Sequence, residues 1–385
     1  MTAYLDHAAS SPLRPEARAA WIEASEILGN PSSIHHAGQA ARRILEDSRE
    51  RLAGTLGCDP IEIVLTSGGT ESVNLGITGL WRAAGAGAAI VTPLGEHHAT
   101  MDTIAWLEAH EGARVRAVAL DRLGRIELAS WSDALAAPAV ATALVANNEI
   151  GTVQPADALA GAAADAGVPL HLDAVGAFGH LPLSFRELRG GAHGATGLCA
   201  LSVSAHKLGG PIGVGALVVA RQAHLAPLLH GGGQQRGLRS GTQDAAGAAA
   251  FAVAAELAVA ERSAEAERLA GLSRRLLDGV RAAIPDAALL GDPVDRLPGN
   301  VHLLFPGAGG EQLLFLLDRA GIAVSTGSAC QAGVPEPSHV VLALGRTEAE
   351  ARQVLRITLG RTTTAADVDA LLAALPDAVT RARGR

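Results

Sequence analysis

Short apolar runs alternate with longer stretches rich in alanine and leucine along the first 220 residues of the chain. Short apolar runs are typical of strands, whereas the longer stretches have the periodicity of helices. The predicted strands lie near residues 62–67, 88–92, 113–120, 139–146, 169–174, 200–204 and 215–220. Because strands that alternate with helices form parallel sheets with crossover helices, the predicted fold class is α/β with a mainly parallel central sheet and flanking helices.

A long helical pattern over residues 243–284 separates this region from a second one. Beyond it, predicted strands lie near residues 300–305, 322–325 and 354–358, which indicates a smaller α+β unit. The predicted division is a large α/β domain over residues 16–250 and a small α+β domain formed by residues 1–15 and 251–385.

The composition is that of a globular protein. Of 385 residues, 48% are hydrophobic and 18% are charged, which excludes an intrinsically disordered chain. A net charge of −8 argues against direct nucleic-acid binding, which requires a basic surface. The first ten residues lack the features of a signal peptide, and the most apolar stretch, residues 245–260, is too short and too polar to span a bilayer. We therefore expect a cytoplasmic protein without a membrane segment.

One lysine stands among the 31 basic residues of the chain, at position 207. A coding bias that favours arginine explains why lysine is rare but does not explain why this one is retained. Arginine supplies positive charge yet cannot be deprotonated in a protein, so it cannot act as an amine nucleophile. Lys207 is therefore either an accident of the bias or a residue that forms an imine.

Three groups that follow predicted strands have complementary chemistry. Residues 67–71 (SGGTE) form a strand-to-helix turn that can hold a phosphate, although an ordinary helix cap has the same pattern. Asp173 ends an apolar run, and Lys207 follows another in the sequence SAHK. A phosphate cup, an acid that keeps a pyridine nitrogen protonated and an imine-forming lysine together indicate pyridoxal 5′-phosphate.

The cysteines and adjacent histidines do not suggest a dedicated metal site or a disulfide. Cys58 and Cys199 are interpreted as small buried hydrophobic residues. Cys330 lies in a Gly-, Ser- and Ala-rich stretch that suits a mobile loop carrying a reactive thiol. The histidine pairs at 35–36 and 97–98 cannot share a helix face, and no further spacing completes a metal site.

Ordered motifs cover nearly the whole chain. They are YLDHAAS at 4–10, GNPSSIH at 29–35, TSGGTES at 66–72, EHH at 96–98, NNEIGTVQP at 147–155, HLDAV at 171–175, SAHKLGGPIGVGAL at 204–217, GGGQQRGLRSGT at 231–242, STGSAC at 325–330, PSHV at 337–340 and LRITLGRTTT at 355–364. On these motifs the chain resembles the cysteine desulfurases of the class V aminotransferase group, in the NifS/IscS-like branch with an SGSAC-type loop. The resemblance implies a fold type I enzyme dependent on pyridoxal phosphate.

The resemblance also implies roles for individual residues. Lys207 would carry the cofactor through an imine and move the substrate α-proton, His97 would stack on the cofactor ring and take part in proton transfer, and Asp173 would pair with the pyridine nitrogen. The phosphate would be held by Gly69, Thr70, Ser204 and His206, with Thr242 supplied by the partner subunit of a homodimer.

Two further implied roles concern the substrate, L-cysteine. Asn148 and Arg356 would bind its carboxylate, and Cys330 would attack its sulfur and retain it as a persulfide. The sulfur acceptor would be another protein, such as an iron–sulfur scaffold or a thiolation enzyme acting on tRNA, DNA or cofactors. Cys330 could also be a shared ligand of a nascent iron–sulfur cluster.

The chain departs from the family pattern at two positions. Gly176 stands where the family usually has a glutamine that hydrogen-bonds the cofactor's phenolic oxygen, and His7 stands where it often has asparagine. The first departure predicts a perturbed cofactor unless water or a neighbouring side chain fills the gap. The alternatives to a cysteine desulfurase are a selenocysteine lyase or other C–S lyase on the same fold, and a catalytically weakened sulfur-relay scaffold.

Overall fold

The computed structural model describes residues 3–85, 87–136, 139–327 and 336–384, so Cys330 lies outside the described residues. Its strands are Ala3–Tyr4 (β1), Ile63–Thr66 (β2), Ala89–Pro93 (β3), Arg114–Val118 (β4), Ala139–Leu144 (β5), Pro169–Asp173 (β6), Gly197–Ser204 (β7), Gly215–Val219 (β8), Ala288–Leu289 (β9), Asn300–Leu304 (β10), Ile322–Ala323 (β11) and Val354–Thr358 (β12). Its α-helices are Pro15–Ser25 (α1), His36–Leu56 (α2), Gly69–Ala84 (α3), His98–Glu111 (α4), Leu128–Ala134 (α5), Ala156–Asp165 (α6), Phe185–Arg189 (α7), Ala245–Ala283 (α8), Gly310–Arg319 (α9), His339–Ala343 (α10), Glu348–Ala351 (α11) and Ala365–Ala382 (α12).

The central sheet has seven strands in the order β2-β8-β7-β6-β5-β3-β4. Strands β4, β3, β5, β6 and β7 pair in parallel, and β2 runs in the same direction as they do. The prediction of a mainly parallel sheet is confirmed. Strand β8 is antiparallel to both neighbours, because only residues 205–214 separate it from β7 and a parallel crossover requires about a dozen residues or more.

Helices pack on this sheet, and most of its strands are continuous apolar runs. Every residue of β2, β3, β5, β7 and β8 is buried. The N-terminal half of α8 is rich in alanine and packs against α1 and α2, where its small side chains allow a close approach between the helix backbones.

A second core lies around a three-stranded antiparallel sheet in the order β12-β10-β9. Helices α9 and α12 and the C-terminal half of α8 pack on it. Along α8, Ala258 belongs to the core of the large sheet and Leu269 to the second core. Strand β1 pairs in parallel with β11, which places the N-terminal segment on the second core. A domain division near residue 250 stays a prediction.

Two of the three cysteines lie in the described part of the chain, and both are buried free thiols. Burial raises the pKa of Cys58 to about 12 and also raises the pKa of Cys199. Their interpretation as small buried hydrophobic residues is therefore confirmed. Among the described helices, none is both long and apolar enough to cross a bilayer.

Candidate active site

A cavity of about 670 Å³ opens where the parallel strands of the central sheet end. Ligands in α/β sheets bind at this edge because the loops that follow the strands converge there. The cavity brings together most of the site residues that the sequence predicts, namely Gly69, Thr70, His97, Asn148, Asp173, His206, Lys207 and Arg356. Ser204 and Thr242 do not line it, and Cys330 is not among the described residues.

The turn between β2 and α3 has the properties of an anion cradle. The N–H groups of the first turn of α3 have no intrahelical partner, and Gly68, which precedes the helix, supplies no side-chain cap for them. A Cβ atom at Gly69 would lie 2.7 Å from Cγ2 of Val175, so any other residue there would require the Val175 side chain to shift. The buried hydroxyl of Ser204, whose Cβ lies 3.5 Å from that same position, has no hydrogen-bond partner among the described residues. Free N–H groups and an unpaired hydroxyl fit a phosphate.

Lys207 ends the short 3-10 helix that directly follows β7. Its Nζ donates hydrogen bonds to the carbonyl oxygens of Ala8 and Ala9, at 2.5 and 3.0 Å. Burial, assisted by the positive charge of Arg356, lowers the pKa of Lys207 to about 8. A lowered pKa increases the neutral fraction of the amine, and the neutral amine is the form that attacks a carbonyl.

Asp173 is the last residue of β6 and is buried in the cavity wall. Its Oδ1 accepts a hydrogen bond from the N–H of Val175 at 2.9 Å. Burial raises its pKa to about 6, and the charge of Lys207 opposes that rise. A buried carboxylate of this kind gains most from a cationic N–H donor, as a protonated pyridine nitrogen would supply.

His97 caps the N-terminus of α4, where its Nδ1 accepts the N–H of Ala99 at 3.0 Å. The proton of the neutral ring therefore lies on Nε2. Burial is the main reason why its pKa falls to about 4, and nearby Lys207 adds to the effect. His206 likewise has a pKa of about 4, with burial as the main cause. Both rings are thus neutral hydrogen-bonding groups at physiological pH.

Arg356 and Asn148 supply unpaired polar atoms to the same cavity. Among the described residues, neither Nε of Arg356 nor Oδ1 of Asn148 has a hydrogen-bond partner, although both are buried. Unpaired buried polar groups are costly, and a ligand that pairs with them recovers this cost. The pair therefore fits a carboxylate together with a polar donor, as an amino acid offers.

The family resemblance implies no role for two acidic residues that line or adjoin the cavity. Asp6 lines it and forms an ion pair with Arg356, although 350 residues separate the two in the chain. Glu96 is buried and interacts electrostatically with Asp173. Both residues stand inside recognised motifs, YLDHAAS and EHH, but only their burial and contacts indicate what they do.

Glu96 predicts a pH dependence of stability. Burial raises its pKa from 4.5 to about 8. The folded protein therefore keeps a proton that the unfolded chain loses, and the free energy of unfolding falls as the pH rises between these two values. The slope contributed by this group approaches about 1.4 kcal/mol per pH unit.

We expect Glu96→Gln to remove that slope, because glutamine does not ionise. Denaturant unfolding between about pH 5.5 and pH 7.5 measures it within the window that the raised pKa defines. The matched control is Glu108→Gln, which alters an exposed glutamate of α4 and should keep the slope of the unaltered protein. An unchanged slope in the Glu96 variant would contradict the raised pKa.

The comparisons with known proteins agree with this geometry. Residues 3–371 match the family described as Aminotransferase class-V. An IscS-like cysteine desulfurase of Mycobacterium tuberculosis is 46% identical over 390 residues, which cover 99% of this chain and 97% of the relative. A solved NifS-like protein superposes with a TM-score of 0.90 at 30% identity and covers 99% of this chain and 100% of its own. The structure titled SspA in complex with cysteine superposes with a TM-score of 0.78 at 30% identity. The match covers 93% of this chain and 99% of that one.

The chain belongs to the class-V aminotransferase family, in its NifS/IscS-like cysteine desulfurase branch. The resemblance, the fold class and the assignment as a cysteine desulfurase enzyme are confirmed at this level. Among the described residues, no group of three or more His, Cys, Asp or Glu side chains could hold a metal ion.

Proposed function

We propose that the protein is a pyridoxal-phosphate-dependent cysteine desulfurase that converts L-cysteine to L-alanine and passes the sulfur to Cys330 as a persulfide. The observation that carries this proposal is the meeting of the only lysine, a buried acid and an anion cradle in one cavity. The cysteine complex of the similar SspA structure supports L-cysteine as the substrate.

The residues present fit pyridoxal phosphate. The cradle at Gly69 and Thr70 would receive the phosphate, Asp173 would hold the pyridine nitrogen and the Lys207 amine would hold the carbonyl carbon. When bound, this cofactor supplies an electron sink for the bonds at the substrate α-carbon. The neutral ring of His97, whose Nδ1 is already occupied, presents Nε2–H to the cavity contents.

The chain's own groups then bind and move protons. Arg356 binds the substrate carboxylate through its unpaired Nε–H, and Asn148 binds it through its side-chain NH2, whereas the unpaired Oδ1 of Asn148 accepts from a donor of the substrate. With a pKa near 8, Lys207 can take the α-proton and return one to the product. The thiolate of Cys330 attacks the substrate sulfur, so that an S–S bond forms as the C–S bond breaks. The electron pair of the broken C–S bond passes to the substrate carbon that carried the sulfur. That carbon takes up a proton, and the product is released as alanine.

A homodimer is part of the proposal. Thr242 is exposed and lies outside the cavity of its own chain, as expected of a residue that serves a partner. Large apolar side chains are exposed on the same molecule, with Leu28, Ile34 and Ile212 at 86, 91 and 81%. Such exposed apolar side chains favour burial by another protein surface. The sulfur acceptor, an iron–sulfur scaffold or a thiolation enzyme, and the cytoplasmic location remain part of this proposal.

The test is to incubate the cofactor-loaded protein with L-cysteine and a thiol reductant and to quantify alanine and sulfide. We expect the two products in equal amounts. A protein that binds the cofactor but releases no alanine would contradict the proposal. If selenocysteine alone gave alanine, the selenocysteine lyase alternative would replace it.

Gly176 leaves room for the glutamine that the family usually has. A Cβ atom at this position would meet only the carbonyl oxygen of Ala146, at 3.7 Å. In Gly176→Gln, an amide donor near the phenolic oxygen should stabilise its negative charge. We expect the pH midpoint of the cofactor's visible absorbance band to fall by about 0.5–1 unit, the equivalent of one hydrogen bond.

The matched control is Gly176→Leu, which adds similar bulk without a donor. Its midpoint should stay close to that of the unaltered protein. Identical titration curves for the unaltered protein and the glutamine variant would mean that the missing glutamine does not perturb the cofactor.

A further inference from the structure

Backbone hydrogen bonds of the N-terminal segment place Asp6 beside Arg356. The N–H of Thr358 donates to the carbonyl of Leu5 at 2.7 Å, and the N–H of His7 donates to the carbonyl of Thr358 at 3.2 Å. Residues 5–7 therefore run along the edge of β12 as a parallel partner, with Asp6 opposite Thr358. Arg356 lies two residues earlier in β12, and this register brings the Asp6 carboxylate to its guanidinium.

Three of the five N–H bonds of this guanidinium are occupied. Nη1 donates to the carbonyl oxygens of Asn148 and Gly327, each at 3.2 Å, and Nη2 donates to Oδ1 of Asp6 at 2.9 Å. One N–H bond on Nε and one on Nη2 have no partner in the described part of the chain. Nε is buried and has no partner among the described residues.

Nε and Nη2 together form the edge of a guanidinium that can bind a carboxylate side-on. Two surface pairs of the same protein use this edge. Arg51 donates to Glu256 through Nε and Nη2 at 2.9 and 2.6 Å, and Arg275 donates to Asp369 through the same atoms at 2.7 and 2.8 Å. Two parallel charge-assisted hydrogen bonds fix the orientation of a carboxylate as well as its position.

We propose that Asp6 is a positioning residue for the substrate carboxylate: by engaging one N–H of Nη2 it holds Arg356 with the Nε–Nη2 edge free, and the carboxylate of the amino-acid substrate binds side-on to that edge. The inference deepens the proposed function and rests on it for the identity of the substrate. Asp6 itself does not touch the carboxylate. It restricts the rotation of a long side chain that would otherwise lose conformational entropy on binding.

The same N-terminal segment also contacts Lys207, so the test must separate the two effects. The carbonyls of Ala8 and Ala9 accept hydrogen bonds from its Nζ, and a general disturbance of the segment would reach that amine. Asp6→Asn keeps an oxygen that can accept from Nη2, whereas Asp6→Ala removes the acceptor. The absorbance band of the bound cofactor reports on Lys207 in each variant.

The experiment makes two kinds of measurement on the full-length protein. They are KM and kcat for L-cysteine with the cofactor-loaded enzyme, and the dissociation constant of propionate, which has a carboxylate but no amine, by isothermal titration calorimetry. We expect Asp6→Ala to raise both KM and the propionate dissociation constant about tenfold, equivalent to 1.4 kcal/mol, with kcat nearly unchanged. Asp6→Asn should stay within about threefold of the unaltered protein, because it keeps the hydrogen bond.

Asp369→Ala is the matched control, since it removes the carboxylate from an exposed arginine pair outside the cavity and should change neither quantity. If the alanine variant does not fold, Asp6→Ser replaces it. Serine also removes the carboxylate and is shorter than aspartate, but it keeps a polar side chain. Unchanged propionate binding in the removal variant, or an asparagine variant as impaired as alanine, would overturn the proposal. If the unaltered protein makes no alanine from L-cysteine, the proposed function fails, whereas propionate binding still tests Asp6.

Discussion

Lys207→Arg is expected to abolish the formation of alanine from L-cysteine, although it keeps the positive charge. Arginine cannot lose its proton in a protein, so it can neither form the imine nor take the α-proton of the substrate. The loss should reach at least about four orders of magnitude, more than 5 kcal/mol of barrier. Alanine quantification measures the rate, and the visible absorbance of the purified protein shows whether the cofactor is held covalently.

A folding control accompanies this variant. Under the proposed function, propionate binds to Arg356 rather than to the amine, so its binding should persist after the substitution. Lys207→Ala should behave like the arginine variant in turnover. If Lys207→Arg kept the absorbance band and made alanine at a measurable fraction of the normal rate, the amine would not be essential and the proposed chemistry would be wrong.

Cys330→Ser has the second large effect that we expect. The variant should bind the cofactor with the normal absorbance band, because the band depends on Lys207, yet release alanine from L-cysteine at least about a hundredfold more slowly. A hydroxyl is a far poorer nucleophile toward sulfur than a thiolate. The measurements are the absorbance spectrum and the alanine yield after a single turnover.

The matched control is Cys58→Ala. Cys58 is a buried free thiol whose pKa is raised to about 12, so it remains protonated and cannot serve as the acceptor. Its removal should leave alanine formation unchanged. Desulfuration of L-cysteine by Cys330→Ser at the normal rate would exclude the persulfide role and favour the lyase alternative, in which no attacking thiol is needed.

The elements of the fold could largely be predicted from the sequence because buried parallel strands are continuous apolar runs. The predicted strand at 300–305 corresponds to Asn300–Leu304, and the predicted helix at 243–284 to Ala245–Ala283. Strand direction was harder, because an apolar run has the same pattern whichever way it pairs. The reversal of Gly215–Val219 follows from the short connection before it, and the gap between the predicted strands at 200–204 and 215–220 already indicated it.

The site could be predicted where chemistry follows directly on a strand, and could not where it depends on distant partners. Asp173 and Lys207 stand at strand ends, so their residue types and positions suffice to suggest a cofactor site. The pairing of Asp6 with Arg356 joins positions 350 residues apart and arises from the register of the N-terminal segment on β12. The raised pKa of Glu96 depends on burial, which a single position in the sequence does not reveal.

The most direct test is peptide mass spectrometry of the cofactor-loaded protein after one turnover with L-cysteine, with borohydride reduction of a parallel sample before substrate is added. The account predicts a mass increase of one sulfur atom on the peptide that contains Cys330, and a reduced pyridoxyl phosphate group on the peptide that contains Lys207. Sulfur found on Cys58 or Cys199 instead, or a cofactor not attached to Lys207, would contradict it.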